Sequence, residues 1–166
     1  MSRDFVIEPL QKHHDRGAFD CGEPSLNLFL KERARQNSKS GLSKTFVAVL
    51  QGDMRVWGYY TIASGSISFV VIPEKLPKYP IPTVHLGRLA VDLAMQGNRL
   101  GERLLVDALD RTADLAESLG IFAIELFAIS EKAKRFYQKY GFVALKDDEK
   151  HLYLPLKTLR DSALMP

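Results

Sequence analysis

A single cysteine, Cys21, leaves the chain no partner for an intrachain disulfide, which fits a reducing compartment and points to the cytoplasm. No apolar run approaches the roughly 20 residues needed to span a bilayer. The longest are short stretches such as Ile121–Phe122–Ala123–Ile124. No charged segment near Met1 leads into an apolar stretch, so neither an export signal nor a membrane partner is expected. A strong charge of one sign is missing as well. The 23 Lys and Arg stand against 20 Asp and Glu, a net of +3, which suits a polyanionic partner or a phosphate-rich cofactor without demanding either. There is no internal repeat, low-complexity tract or linker, and the length suffices for one sizeable core, so residues 1–166 are read as a single domain.

What is present is 46% hydrophobic and 26% charged, the balance of an ordinary globular protein, and the apolar residues follow clear periods. Phe5–Pro9 reads as a strand. Glu23-Pro24-Ser25 opens a helix whose Leu26, Phe29, Leu30 and Ala34 share one face, and Ser38-Lys39-Ser40-Gly41 ends it. Thr45–Leu50 and Val56–Ala63 form a hairpin around Gln51-Gly52-Asp53. Ser64-Gly65-Ser66 is expected to interrupt the second strand, with Ile67–Ile72 extended beyond it. Four prolines between Pro73 and Pro82 exclude a long helix or a central strand and mark a loop. Thr83–Val91 reads as a central strand. Arg99–Leu119 is the longest helix, with a buried stripe reaching Leu115, Ala116 and Leu119. Ile121–Ala128 is a strand and Glu131–Lys139 a short helix. Gly141–Leu145 with His151–Leu156 closes as a hairpin. Mixed strands around a central β-α-β unit imply an α/β fold, a three-layer α-β-α sandwich.

Two segments carry chemistry. In the first, the strand end Leu89-Ala90-Val91-Asp92 is followed by Gln96-Gly97-Asn98-Arg99-Leu100-Gly101 at the start of the long helix. Backbone N–H groups in a first helical turn lack intrahelical partners and sit at the positive end of the dipole, and glycine admits a ligand close to them, so the turn suits a pyrophosphate. The second is the run Ser130-Glu131-Lys132-Ala133-Lys134-Arg135-Phe136-Tyr137-Gln138-Lys139-Tyr140-Gly141-Phe142, a short helix with an aromatic pair that breaks at glycine into a strand. Each also has a plain reading, a capped helix in one case and a core aromatic cluster in the other.

Together, in this order and spacing, they resemble the GNAT (GCN5-related N-acetyltransferase) family over essentially the whole chain. The family pattern Gln/Arg-x-x-Gly-x-Gly/Ala lies over Gln96 to Gly101, with Arg99 standing where a glycine is usual. The resemblance implies a central sheet that is splayed, with acetyl-CoA as cosubstrate and no metal. The cofactor contacts implied are Leu89, Ala90 and Val91 through backbone to the pantetheine arm, then Gln96, Gly97, Asn98, Arg99, Leu100 and Gly101, together with Ser130 and Phe136. It also implies that Tyr137, in Phe-Tyr-x-x-x-Gly-Phe, lies near the thioester sulfur as general acid. A free phenol, with a pKa of about 10, holds a proton to give at neutral pH. A backbone N–H near Val91 would polarise the carbonyl. No carboxylate base is evident, because Ser64-Gly65-Ser66 occupies the strand where some relatives carry glutamate. That favours an α-amine acceptor, whose pKa of about 8 leaves it partly neutral already. His85 and His151 are candidate relays.

Phe19-Asp20-Cys21-Gly22, Ser43-Lys44-Thr45-Phe46-Val47, Gly58-Tyr59-Tyr60, Pro80-Ile81-Pro82 and Leu86-Gly87-Arg88-Leu89-Ala90-Val91-Asp92 resemble the GNAT toxins of type II toxin–antitoxin modules (TacT-like). Those enzymes acetylate the α-amine of aminoacyl-tRNA, block translation and are held inactive by a ribbon-helix-helix antitoxin. The resemblance also makes a homodimer plausible. Phosphate contacts would come from Arg33, Lys39, Lys44 and Arg88, with Lys31 and Arg35 nearby; such contacts give affinity without sequence information. Cys21 reads as a small packing residue. The alternatives are a GNAT enzyme for a small-molecule amine and a non-catalytic acyl-CoA-binding protein.

Overall fold

A computed structural model describes residues 4–160. The ends of the expected 1–166 domain, residues 1–3 and 161–166, lie outside the described residues. Phe5–Pro9 (β1) pairs antiparallel with Lys44–Leu50 (β2), from Phe5↔Leu50 to Pro9↔Phe46. β2 pairs antiparallel with Gly58–Ile67 (β3). Ile81–Val91 (β4) and Ala123–Phe127 (β5) are parallel, from Thr83↔Ala123 to His85↔Glu125. His151–Pro155 (β7) runs antiparallel to β5 and to the short Val143–Ala144 (β6). The result is one mixed seven-stranded sheet in the order β1-β2-β3-β4-β5-β7-β6, and β4 is central as expected.

By compactness the chain divides into two units: residues up to Ala63 with Gly87–Ala108, and Ser64–Leu86 with the chain from Leu109 on. In the first unit the helical segment runs through Pro24–Leu28 (α1), a π-helical turn Phe29–Arg33 and Ala34–Lys39 (α2). Its buried face is the expected one. Leu26, Phe29, Leu30 and Ala34 pack with Phe19, Val47, Val49 and Tyr59. The Tyr59 hydroxyl donates to the Leu26 carbonyl at 2.7 Å, which satisfies a phenol inside an apolar core. Leu100–Leu115 (α3) also begins in this unit, with Leu100, Leu104, Leu105 and Ala108 buried.

The second unit buries Ile67, Ile72, Ile81, Ala123, Leu145 and Tyr153 together. It contains β5, Glu131–Gln138 (α4), β6 and β7, and a helix the sequence reading missed, Leu156–Arg160 (α5). That helix starts where the expected strand to Leu156 stops, and Leu156 and Leu159 are both buried.

Three other expectations are corrected. Ser64-Gly65-Ser66 does not interrupt β3, which continues to Ile67. The stretch beyond is not extended. Phe69–Val71 forms a 3-10 turn, and the Ser68 hydroxyl accepts from the Val70 N–H. α3 ends at Leu115 and not at Leu119. Leu115 and Leu119 are exposed, so the far end of the apolar stripe has nothing to pack on, and the chain leaves through turn bonds such as Ser118 N–H to the Leu115 carbonyl. No helix among the described residues is long and apolar enough to cross a membrane.

Candidate active site

The first chemical segment folds as a turn feeding α3. Gln96 closes it by donating its side-chain amide to the Val91 carbonyl at 2.9 Å and the Cys21 carbonyl at 3.2 Å. Gly97 has φ +84°, and a methyl group built there meets nothing within 4 Å, so the backbone faces open space. Asn98 turns its amide back onto the Met95 and Gln96 carbonyls. Arg99 has φ 62°, the left-handed region, and is the only non-glycine residue there among the described residues. Its carbonyl accepts the Arg103 N–H at 3.1 Å and starts the helix. The residues therefore fit an anion. Gln96, Gly97, Asn98 and Arg99 are exposed, and the first-turn N–H groups point out of the helix. The Leu100 side chain is buried in the core, so that residue has only its backbone to offer a ligand. Leu89 and Val91 are half-buried and Ala90 is buried on the preceding strand end.

α4 holds the second segment. The Ser130 hydroxyl caps it by accepting the Ala133 N–H at 3.1 Å, which leaves the hydroxyl its own proton and a second lone pair. Tyr137 is buried in the second unit, edge-on to Phe136 at 5.1 Å and to Phe142 at 5.6 Å between ring centres. Phe136 is half-buried. No group among the described residues hydrogen-bonds the Tyr137 hydroxyl. Burial pushes its phenol above the ordinary tyrosine value, so it keeps its proton.

The structure also shows a carboxylate that sequence reasoning missed. Glu125, in the middle of β5, is buried. Its Oε1 lies 2.5 Å from His85 Nδ1, and its Oε2 lies 2.7 Å from His151 Nε2. His151 Nδ1 in turn lies 2.9 Å from Asp147 Oδ2. Phe127 stacks on the His151 ring, with centres 4.0 Å apart and planes 14° apart. Burial alone would raise the Glu125 carboxyl. The hydrogen bond and charge of His85, followed by those of His151, outweigh it and hold the group below its usual range. His85 and His151 are thus brought together on one buried acid. The cluster lines a cleft of about 430 Å³ whose other walls include Ser64, Gly65, Ser66 and Ser68. A Cβ at Gly65 would lie 3.0 Å from Thr83 Oγ1 and 3.3 Å from His85 Cβ, so the missing side chain makes room for the cluster. The available signal was Glu125 itself, the one charge in Ala-Ile-Glu-Leu-Phe.

The expected phosphate contacts lie in the first unit. Arg33 and Lys39 are exposed. Lys44 donates to the Ser38 carbonyl at 2.8 Å and so caps the end of α2. Arg88 is half-buried with its guanidinium 3.6 Å over the Phe29 ring, a cation–π contact that fixes its position. Arg16 donates to the Leu30 and Lys31 carbonyls of the π-helical turn; burial and then the Arg35 charge lower its pKa. Cys21 packs as expected, with burial raising its thiol pKa. Glu8, His13 and His14 bring ligand-type atoms within 4.8 Å of one another. However, His14 Nδ1 accepts the Gln11 N–H at 2.8 Å and Nε2 faces Glu8 at 3.2 Å. With both ring nitrogens engaged, that histidine has no lone pair to give a metal.

Comparison with known proteins follows the same lines. The family profile described as Acetyltransferase (GNAT) domain matches residues 27–154. A protein of Mycobacterium tuberculosis named tRNA-acetylating toxin is 39% identical over 149 residues, covering 88% of this chain and 89% of that one. A probable toxin TacT of Sinorhizobium fredii is 32% identical, covering 93% of each. Among solved structures, a tyrosine-to-phenylalanine mutant of KacT superposes with a TM-score of 0.91 at 31% identity, over 96% of this chain and 99% of that one. AtaT complexed with acetyl-methionyl-tRNAfMet gives 0.89 at 31% identity, over 95% and 98%. A mutant AtaT bound to the C-terminus of the antitoxin AtaR and acetyl-CoA gives 0.82 at 29%, over 95% and 96%.

Proposed function

The chain belongs to the GNAT acetyltransferase family, and from that premise we propose that it transfers acetyl from acetyl-CoA to the α-amine of an aminoacyl-tRNA and so acts as a translation-blocking toxin. The observation that carries the reading is near-full-length likeness, on both sides of the alignment, to a tRNA-acetylating toxin. AtaT, solved with its acetylated tRNA product, has the same fold over 95% of this chain.

The roles follow from the chemistry. The amine nitrogen attacks the thioester carbonyl carbon, a C–N bond forms, the C–S bond breaks, and the departing sulfur needs a proton. Tyr137 is the proposed donor, because its buried phenol is protonated and has no competing hydrogen-bond partner among the described residues. The open Gly97–Gly101 backbone at the start of α3 is the proposed seat of the pyrophosphate, with Leu89–Val91 for the pantetheine arm. Arg99, in a conformation glycine would take, adds a cation at the edge of that turn. Arg33, Lys39, Lys44 and Arg88 are proposed to meet tRNA phosphates. The proposal extends to a single domain acting in the cytoplasm as a homodimer, restrained by an antitoxin of ribbon-helix-helix type; the complex of AtaT with AtaR supports the antitoxin.

Expression without a partner in a bacterial host tests this. The expected result is growth arrest, N-acetylated aminoacyl-tRNA detected by mass spectrometry, and loss of both in Tyr137→Phe, whose turnover should fall about 10²- to 10⁴-fold. Normal growth with unmodified tRNA would overturn it.

A further inference from the structure

We propose that the cleft in the second unit receives the acceptor's primary amine and that His85 is the base that takes its proton, an inference that rests on the acetyltransferase reading above. An ionised carboxylate only accepts hydrogen bonds. The 2.5 Å contact to Glu125 therefore places a proton on Nδ1, so that in the neutral imidazole the lone pair is on Nε2. His85 is half-exposed and lines the cleft, so that nitrogen is the basic atom available there. This is the geometry of an imidazole general base oriented by a buried acid.

The orientation is enforced from behind. Glu125 engages both oxygens, one with His85 and one with His151, and His151 is itself held by Asp147 and by the Phe127 ring. Glu125 and His151 are therefore positioning residues. The groups facing His85 can be stated element by element. β3 presents Ser64, Gly65 and Ser66, none charged; β5 presents Glu125, β7 presents His151, and the β6–β7 connection presents Asp147. Two carboxylates and a wall of serine hydroxyls favour an entering ammonium over an anion. Two residues from His85, on the same face of β4, Thr83 Oγ1 is buried without a hydrogen-bond partner, an orphan acceptor beside the cleft wall.

The step balances without a further reactant. The ammonium gives one proton to His85 Nε2. The neutral nitrogen forms a C–N bond with the acetyl carbonyl carbon as the C–S bond breaks, and the thiolate takes the Tyr137 proton. His85 then releases its proton to solvent, and the second proton shed by the acylated nitrogen restores the Tyr137 phenol. The net products are the N-acetylated amine, free thiol and one proton.

His85→Gln, which keeps a polar side chain without the base, separates this from a structural role. At neutral pH its kcat/KM should fall about 10²-fold while acetyl-CoA binding by calorimetry is unchanged. The deficit should shrink as pH rises past about 8, where an α-amine loses its proton unaided. In His85→Ala, added imidazole should restore part of the rate. A His85→Gln profile parallel to wild type at every pH would show a merely structural cluster and overturn the proposal. Should the wild type acetylate a small amine and no aminoacyl-tRNA, the tRNA reading falls, and the same comparison run on that amine still decides the role of His85. A wild type that acetylates no amine would overturn both.

Discussion

Arg99 occupies a backbone region that costs a side-chain-bearing residue about 1–2 kcal/mol. The resemblance to the GNAT pattern over Gln96 to Gly101 already implied that glycine is usual at position 99, and the observed φ of 62° is the physical reason. Arg99→Gly should therefore hold or raise stability, by up to about 1 kcal/mol or about 2–4 °C in Tm. A calorimetric fall of that size would contradict it. Glu125 was missed for a different reason. Averaged hydrophobicity hides one acid in an apolar strand, and its partners, His85 and His151, are brought to it only by sheet pairing. Because its folded-state pKa is depressed, Glu125 contributes stability above the ordinary carboxylate value of 4.5 and loses it as pH falls through the lower folded value. The difference in urea midpoint between wild type and Glu125→Gln should thus be largest near neutrality and shrink below about pH 4.

At the scale of the element, helices and strands with a clear apolar period were legible, because burial selects one face. The α1–α2 segment and α4 both start where the sequence placed them. The failures came where tertiary context overrode local preference. Ser64-Gly65-Ser66 looks like a break by propensity, yet β3 continues through it to Ile67, past its last pairing with β2 at Ile62 and on the side of β4. The stripe through Leu115 and Leu119 looks buried, yet it outlasts the surface available to cover it. α4 is only eight residues long and leans on its cap. Ser130→Ala should cost about 1 kcal/mol in urea unfolding. If the Ser130 hydroxyl serves the helix and not the cosubstrate, acetyl-CoA affinity should stay near the wild-type value.

At the scale of the molecule, a net charge of +3 understates how the cations are placed. Arg33, Lys39, Lys44 and Arg88 all fall in the first unit, and the depressed Arg16 registers Arg35 beside it. If these four side chains meet phosphates, kcat/KM for aminoacyl-tRNA should decline with a log–log salt slope of about −3, whereas acetylation of a small amine should change little. Single charge reversals at Arg33 or Lys39, both exposed, should lower that slope by about one.

The vacancy at position 65 reaches beyond the cleft. On the proposed toxin reading the host itself screens the chain, since cells in which it fails are the cells that divide. A side chain at Gly65 would crowd Thr83 Oγ1 at 3.0 Å and His85 Cβ at 3.3 Å. Codon 65, far along the sequence from the phenol and from the nucleotide turn, should therefore recur among the survivors of unrestrained expression, with the bulkier replacements the most frequent.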